Sequence, residues 1–304
     1  MIIQKKAPAK INLYLKILDR LPNGYHNIFT VMQKISLCDY IKLNINPGSG
    51  QNINIICDNK NIPADKSNTA FKAAQMFFDR AKISGVDLII EITKKIPSQA
   101  GLGGGSSDAA AVLLGLNEYY NFVLDENILL DIALKIGADV PFFVRIANCA
   151  VCEGIGEIVT PCDIDLSGLH CLIVKPVYNV STKQAYEDWD AYCRERINAF
   201  REPAKTKTDV ITIFSERINP FPTQSDNVVR NIHNDFAGLI FSRNKNIEEI
   251  KNLLIKSGAS AAELSGSGSA LFGIFDDFDD ALRCKNKINL RNDIEFCDIF
   301  DFLS

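Results

Sequence analysis

The feature that most constrains this chain is a glycine-rich run at residues 97–108, PSQAGLGGGSSD, which lies between a predicted strand and a predicted helix. Residues 86–93 (VDLIIEIT) have the β-branched content of a strand, and residues 108–120 are rich in helix-forming side chains. Glycines let a backbone approach an anion closely, and the first amides of the following helix point towards it. The run therefore predicts a phosphate-binding loop, with a nucleoside triphosphate as its occupant.

The spacing of this loop excludes two common nucleotide-binding signatures. A Walker A loop requires a lysine before its terminal serine or threonine, and Gly105 stands at that place before Ser106. A dinucleotide-binding fingerprint requires a third glycine at position 106 or 108, depending on the frame, and neither position has one. Without a loop lysine, the phosphate charge must be offset by amides, the helix end, a metal ion and a basic residue from elsewhere. Ser106 and Ser107 are candidate ligands for phosphate or Mg²⁺.

A plainer interpretation of the run is a glycine-rich turn that only lets the helix pack closely on the sheet. Four glycines among residues 101–105 exceed what packing requires, so phosphate binding is the favoured interpretation.

Length and composition bound the possible functions. With 304 residues the chain is long enough for two domains, and 33 basic against 37 acidic residues argue against general nucleic-acid affinity. Nine cysteines, an odd number scattered through apolar segments, indicate reduced thiols in the core. No apolar run approaches the ~20 residues of a membrane span. We therefore expect a cytoplasmic protein that binds small molecules and neither nucleic acid nor membrane.

The coarse pattern predicts an α+β fold, because strands and helices mix without strict alternation. Residues 150–160 read as one extended stretch, and residues 186–214 read as a charged helical segment with a solvated face. Predicted strands cover residues 35–45, 52–57, 172–175, 269–275 and 293–298, and predicted helices cover residues 69–81, 127–136, 247–257 and 278–288.

Three further clusters carry polar residues in unusual surroundings. Lys10 lies among small and apolar residues of a predicted strand, where a lysine requires an anionic partner unless it reaches solvent. Asp139 follows a helix stop and precedes Pro141, which also suits a simple N-cap. Residues 265–269 (SGSGS) could add amides to the phosphate site or form a tight turn.

Taken together, these clusters resemble the GHMP kinase superfamily, and within it the kinases that act on 4-diphosphocytidyl-2-C-methyl-D-erythritol. PAKINLYL, NGYH, IPSQAGLGGGSSDAA, GADVPFF and LSGSGSALFG stand in the expected order from residue 7 almost to the end. Asn234 and Asp235 match an Asn-Asp pair of the family, with Phe236 in place of the usual leucine.

The resemblance implies a two-domain fold with an active site in the cleft between the domains. The first domain, residues 1–165, would contain a left-handed β-α-β unit, and the second, residues 166–304, would be ferredoxin-like. The implied reaction transfers the γ-phosphoryl group of ATP, with Mg²⁺, to the 2-hydroxyl of the erythritol moiety in non-mevalonate isoprenoid synthesis. The resemblance also implies a monomer or a weak homodimer.

The resemblance also assigns roles by position. Asp139 is the expected base, and Lys10 is the cation that holds it ionised. His26 is expected to read the cytosine, Tyr25 and Tyr186 to lie against the base, and Asn12 and Thr182 to reach the erythritol or diphosphate. Ser107 is the expected metal contact, through phosphate. The expected ATP-binding residues are Pro97, Ser98, Gln99, Ala100, Gly101, Leu102, Gly103, Gly104, Gly105, Ser106 and Ser107.

Two alternatives remain open from the sequence. One keeps the fold and changes the acceptor to mevalonate, homoserine or a sugar, against which the Gly24-Tyr25-His26 element argues. The other is a nucleotide-binding module without chemistry, which the joint presence of Lys10 and Asp139 disfavours.

Overall fold

The computed structural model describes residues 1–199 and 228–304, with the backbone alone for residues 195–199, and its strands form two sheets. The first sheet consists of β1 (Ile2–Arg20), β2 (His26–Pro47), β3 (Gln51–Cys57), β4 (Val86–Thr93), β5 (Cys149–Glu153), β6 (Ile158–Pro161) and β8 (His233–Asn234). The second consists of β7 (His170–Pro176), β9 (Ala261–Leu264), β10 (Leu271–Phe275) and β11 (Ile294–Asp301).

The helices of the described residues follow the strands in a mixed order. They are α1 (Thr69–Ala81), α2 (Gly104–Tyr119), α3 (Glu126–Ile136), α4 (Val140–Val144), α5 (Thr182–Ala199), α6 (Phe236–Arg243), α7 (Lys245–Lys256) and α8 (Phe278–Ile288).

The first sheet is built around a long antiparallel ladder between β1 and β2. Its order is β3-β4-β2-β1-β8, while β5 pairs with another part of β2 and carries β6. The neighbours β3 and β4 are parallel and α1 connects them, which gives the β-α-β unit of this half. Helices α1 and α2 cover the sheet with a core that includes Phe77, Phe78 and Leu113.

The second sheet has the order β11-β7-β10-β9, and its neighbouring strands are antiparallel. In chain order these strands are fourth, first, third and second, with helices after the first and third, which is the ferredoxin-like arrangement. An apolar layer that includes Ile11, Val31, Ile173 and Phe272 joins the two sheets. The division at residues 165 and 166 falls between β6 and β7 and stays a prediction.

Most predicted elements are present, and two expectations are wrong. Residues 150–160 are two strands, because Gly154 and Gly156, with φ of +70° and +117°, form a turn between β5 and β6. The described part of residues 186–214 belongs to α5. This helix is not merely a solvated segment, because Tyr186 and Trp189 pack against the core of the second half. Residues 200–214 lie outside the described residues.

Lys34 on β2 is a buried lysine next to the element that carries Asp139. Its Nζ donates to the carbonyl oxygen of Arg145, 3.1 Å away, at the end of α4, and lies 5.2 Å from the Phe142 ring centroid. Burial lowers the pKa of Lys34 to about 8. The unfolded chain, with a lysine pKa near its ordinary value, therefore holds more protons than the folded protein between pH 8 and 10.

We expect the wild type to gain about 2 kcal/mol of unfolding free energy relative to Lys34→Met between pH 7.5 and pH 10. The sign is positive because the native state no longer has to hold a buried charge once Lys34 loses its proton. Urea denaturation of both proteins at the two pH values measures the difference. An equal change in both proteins would exclude Lys34 as the titrating group.

Candidate active site

The predicted strand, glycine loop and helix follow one another as β4, residues 94–103 and α2. The loop requires glycine at two positions with a left-handed backbone conformation. The angle φ is +75° at Gly101 and +73° at Gly103, which is the N-cap residue of α2. Because Gly103 has no side chain, the N-cap residue does not occupy the first amides of α2. These amides and the positive end of the helix dipole therefore form an anion site.

This loop forms part of the wall of a cavity of about 1090 Å³ between the two halves. The cavity brings together residues from β1, β2, α5 and both glycine-rich segments. Every predicted site residue except Ser107 lines it: Lys10, Asn12, Tyr25, His26, Pro97, Ser98, Gln99, Ala100, Gly101, Leu102, Gly103, Gly104, Gly105, Ser106, Asp139, Thr182 and Tyr186.

Lys10 and Asp139 meet in this cavity. The Lys10 Nζ lies 3.6 Å from Asp139 Oδ2, and Lys10 is buried whereas about a third of the Asp139 side chain is exposed. Asn12 holds the ammonium from the other side, with its Oδ1 2.6 Å from Nζ, and its amide donates to Thr30 Oγ1 at 2.7 Å. The ammonium is thus fixed between an amide oxygen and a carboxylate, and the carboxylate keeps contact with the cavity.

The second glycine-rich segment, residues 265–269, packs directly against the first. Ser265 Oγ donates to the carbonyl oxygen of Gly101 at 3.0 Å. The backbone N–H of Ala270, the next residue after the segment, donates to the carbonyl oxygen of Ala100 at 3.1 Å. Asn234 stabilises the segment, because its Nδ2 donates to the carbonyl oxygens of Leu264 and Gly266 at 2.7 and 2.8 Å. The two loops therefore form one unit across the halves of the protein.

Gly101→Ala is expected to lower the free energy of unfolding by about 2 kcal/mol and to weaken ATP binding. A Cβ at this position would overlap the Ser265 carbonyl oxygen, and φ is in the left-handed region. Gly105→Ala is the matched control for stability, since its Cβ would meet nothing closer than Thr69 Oγ1 at 3.4 Å. Urea denaturation and ATP calorimetry measure the two effects. Equal stability of the two variants would contradict the docking of the loops.

His26 and Tyr186 also line the cavity. Their ring centroids are 5.0 Å apart with an interplanar angle of 16°, and Tyr186 also contacts the Phe236 ring edge-on. Burial, and then the nearby Asp139 carboxylate, raise the pKa of the Tyr186 phenol. Tyr25 remains half exposed at the rim, and Thr182 Oγ1 lies 3.1 Å from Ser267 Oγ. An aromatic slot therefore adjoins the lysine and the aspartate.

Sequence reasoning missed a buried charge cluster beside the loop. Lys94 contacts Asp39 and, at 2.8 Å, the Asp108 carboxylate, and all three side chains are almost fully buried. Burial raises the pKa of Asp108, although Lys94 opposes that shift. Lys94 Nζ lies 3.3 Å from where a Cβ of Gly104 would be, so the cluster lies directly behind the start of α2. A lysine and an aspartate on either side of the glycines were the available signal.

Ser107 is the one predicted site residue outside the cavity wall. Its Oγ is buried and has no hydrogen-bond partner, while Ser106 lines the cavity. Among residues 1–199 and 228–304, no three His, Cys, Asp or Glu side chains form a metal cluster. The Ser107 hydroxyl is therefore an unpaired oxygen donor, and oxygen donors are the ligands that Mg²⁺ prefers.

The amino-acid sequence is similar to those of known kinases over nearly its whole length. Sequence profiles of the GHMP kinases N terminal domain and of the GHMP kinases C terminal domain match residues 68–145 and 225–293. A 4-diphosphocytidyl-2-C-methyl-D-erythritol kinase from Syntrophotalea carbinolica is 38% identical over 287 residues, 94% of each chain. The enzyme of that name from Clostridium novyi is 37% identical over 292 residues, 93% of this chain and 96% of the other. The chain belongs to the GHMP kinases.

Solved structures extend the likeness of this GHMP kinase to the whole fold. A 4-(cytidine 5′-diphospho)-2C-methyl-D-erythritol kinase aligns with a TM-score of 0.71 at 27% identity and covers 98% of this chain and 99% of its own. L. major mevalonate kinase in complex with R-mevalonate, at 17% identity and a TM-score of 0.74 over 99% and 95% of the two chains, shares the fold. This GHMP kinase is thus an ATP-using enzyme. None of its described helices has both the length and the apolar character of a membrane span.

Proposed function

We propose that this GHMP kinase transfers the γ-phosphoryl group of ATP to the 2-hydroxyl of 4-diphosphocytidyl-2-C-methyl-D-erythritol, giving the 2-phosphate and ADP. The observation that carries the proposal is the 3.6 Å contact between Lys10 Nζ and Asp139 Oδ2, beside a glycine loop and an aromatic slot in one cavity. The names of the relatives with 37 and 38% identity support the acceptor.

Asp139 is the proposed base and Lys10 the proposed electrostatic partner. The acceptor oxygen attacks the γ-phosphorus, the bond between that phosphorus and the β–γ bridging oxygen breaks, and the hydroxyl proton passes to Asp139. A carboxylate is too weak to ionise an alcohol in the ground state, but in a loose transition state it orients the hydroxyl and takes the proton late. Lys10 stabilises the charge on the attacking oxygen, so positioning and electrostatics supply most of the rate.

Pro97 to Ser107 are the proposed ATP-binding residues, with the amides at the start of α2 on the phosphates. Ser107, whose buried Oγ has no partner, and the adjacent Ser106 are the proposed protein oxygens near Mg²⁺. When bound, the metal supplies positive charge that neutralises the phosphate oxygens.

The aromatic slot is the proposed cytosine site, in which His26 reads the base edge and Tyr25 and Tyr186 contact its faces. Asn12, next to Lys10, and Thr182, next to Ser267, line the same cavity and are the proposed contacts of the erythritol or diphosphate. The slot distinguishes this proposal from a mevalonate, homoserine or sugar kinase, since those acceptors have no base to fill it.

A coupled ADP-release assay tests the proposal with four acceptors: the diphosphocytidyl alcohol, mevalonate, homoserine and galactose. We expect turnover with the first to exceed the others by at least about a hundredfold in kcat/KM, because a base-binding site adds recognition that the small alcohols cannot use. A preference for another acceptor would contradict the substrate assignment. ATP binding without ADP release for any of the four would support a silent nucleotide-binding module instead.

A further inference from the structure

Asp190 on α5 links His26 to Arg20. One carboxylate oxygen, Oδ1, lies 2.7 Å from His26 Nε2, and the other, Oδ2, lies 3.1 Å from Arg20 Nη1. The His26 side chain is 5% exposed and Asp190 is 20% exposed, whereas Arg20 reaches solvent. The imidazole is therefore held on one edge by a carboxylate whose second oxygen is already occupied.

This contact decides which ring nitrogen of His26 carries the proton. Asp190 forms an ion pair with the Arg20 guanidinium through Oδ2, and a carboxylate in an ion pair only accepts hydrogen bonds. His26 Nε2 must then be the donor, so in the neutral ring Nδ1 is left with a lone pair and becomes an acceptor. Asp190 thus sets the hydrogen-bonding character of a nitrogen that it does not touch.

His26 and Tyr186 both form part of the cavity wall, and their rings are stacked and nearly parallel. A pyrimidine that meets the imidazole edge-on therefore lies along the phenol face. Cytosine presents a 4-amino donor at the position where uracil presents a carbonyl acceptor. An acceptor at Nδ1 pairs with the amino group of cytosine and faces a second acceptor in uracil.

We propose that Asp190 is a positioning residue that makes the site select cytosine over uracil by fixing the tautomer of His26. The proposal rests on the proposed function and concerns only the choice of base. Removing Asp190 frees the ring to place its proton on Nδ1, which then donates to the uracil carbonyl. In Asp190→Asn the amide turns its NH₂ towards Nε2, and this arrangement favours the exchanged tautomer further.

The test compares kcat/KM for the cytidine-diphosphate alcohol and for its uridine analogue. We expect the wild type to prefer cytidine at least about a hundredfold, and Asp190→Asn to lose at least about tenfold of that preference. The loss should appear in the KM of the acceptor, while kcat and the KM of ATP stay within about twofold. Asp188→Asn is the matched control, because Asp188 lies on the same helix but pairs with Arg243 and Gln184, and we expect it to keep the preference.

A second measurement reads the tautomer itself. The chain has three histidines, so long-range ¹⁵N NMR with His26→Gln for assignment resolves the His26 ring. We expect a protonated Nε2 and an unprotonated Nδ1 in the wild type and a mixture in Asp190→Ala. Calorimetry with cytidine and uridine 5′-diphosphates gives the base preference without turnover.

The outcomes separate the two proposals. If the wild type turns over the cytidine substrate but Asp190→Asn keeps the full preference, or if NMR places the wild-type proton on Nδ1, the role of Asp190 is overturned and the proposed function stands. If the wild type turns over neither substrate yet still binds cytidine diphosphate in preference to uridine diphosphate, and loses that preference in Asp190→Asn, the base selection stands and the proposed reaction fails.

Discussion

Asp139→Asn is expected to lower kcat about a thousandfold and to leave the KM values of ATP and acceptor within about threefold. The substitution keeps the shape of the side chain but removes the group that accepts the hydroxyl proton. Binding should survive because Lys10 is also held by Asn12, whose Oδ1 is 2.6 Å from Nζ. The ammonium therefore stays in place when the carboxylate is lost.

Steady-state kinetics with both substrates varied, together with ATP calorimetry, measures this effect. Asp131→Asn is the control, since Asp131 forms a surface ion pair with Lys135 on α3 and lies outside the cavity wall. Turnover of Asp139→Asn within about threefold of the wild type would exclude Asp139 as the base. A rise in KM alone would show that the carboxylate only binds the acceptor.

The sequence predicted the local parts of this site well, because their signals are local. The β-branched run that became β4 and the glycines that follow it have few alternative structures. The predicted bounds of α1 and α8, residues 69–81 and 278–288, agree with the structure, where the side chains of Asn68 and Asp277 cap the first amides of these helices. Such features depend on neighbours within a few residues and are visible without the fold.

The convergence of Lys10 and Asp139 is not a local signal. Lys10 lies in the middle of β1. Asp139 is the N-cap residue of α4, as the plain interpretation expected, but its side chain forms no capping bond with the helix amides. The two residues meet because β2 and α2, which lie between them in the sequence, bring the chain back to β1. Only the resemblance to a family predicted that Lys10 and Asp139 would lie close together. The lengths of β1 and β2 were hidden for a similar reason, because both faces of these strands are covered and strict alternation is lost.

The burial of Asp39, Lys94 and Asp108 could not be predicted, for a third reason. Each charged residue, taken alone, is typical of a solvated position, and only the packing of β2, β4 and α2 removes all three from water. Buried charges are costly unless they are paired, so their presence in this place indicates a constraint on the glycine loop. That constraint leads to the largest stability effect that we expect.

Lys94→Met should lower the free energy of unfolding by about 3–5 kcal/mol, since it leaves two buried carboxylates without their cation. Asp39 retains the backbone N–H groups of Lys95 and Ile96, which donate to its Oδ1 at 2.5 and 2.8 Å. Asp108 is worse placed, because its Oδ1 already lacks a partner and its Oδ2 would lose Lys94. Most of the loss should therefore arise at Asp108.

The double variant Lys94→Met/Asp108→Asn separates charge from packing. If the uncompensated carboxylate causes the loss, replacing Asp108 by a neutral amide should recover about half of it. Lys95→Met, at the exposed neighbouring position, should change stability by less than about 0.5 kcal/mol. Urea denaturation of the four proteins decides the matter. A Lys94→Met variant as stable as the Lys95→Met control would show that the cluster does not hold the start of α2, and the loop would then owe its shape to its contact with residues 265–269 alone.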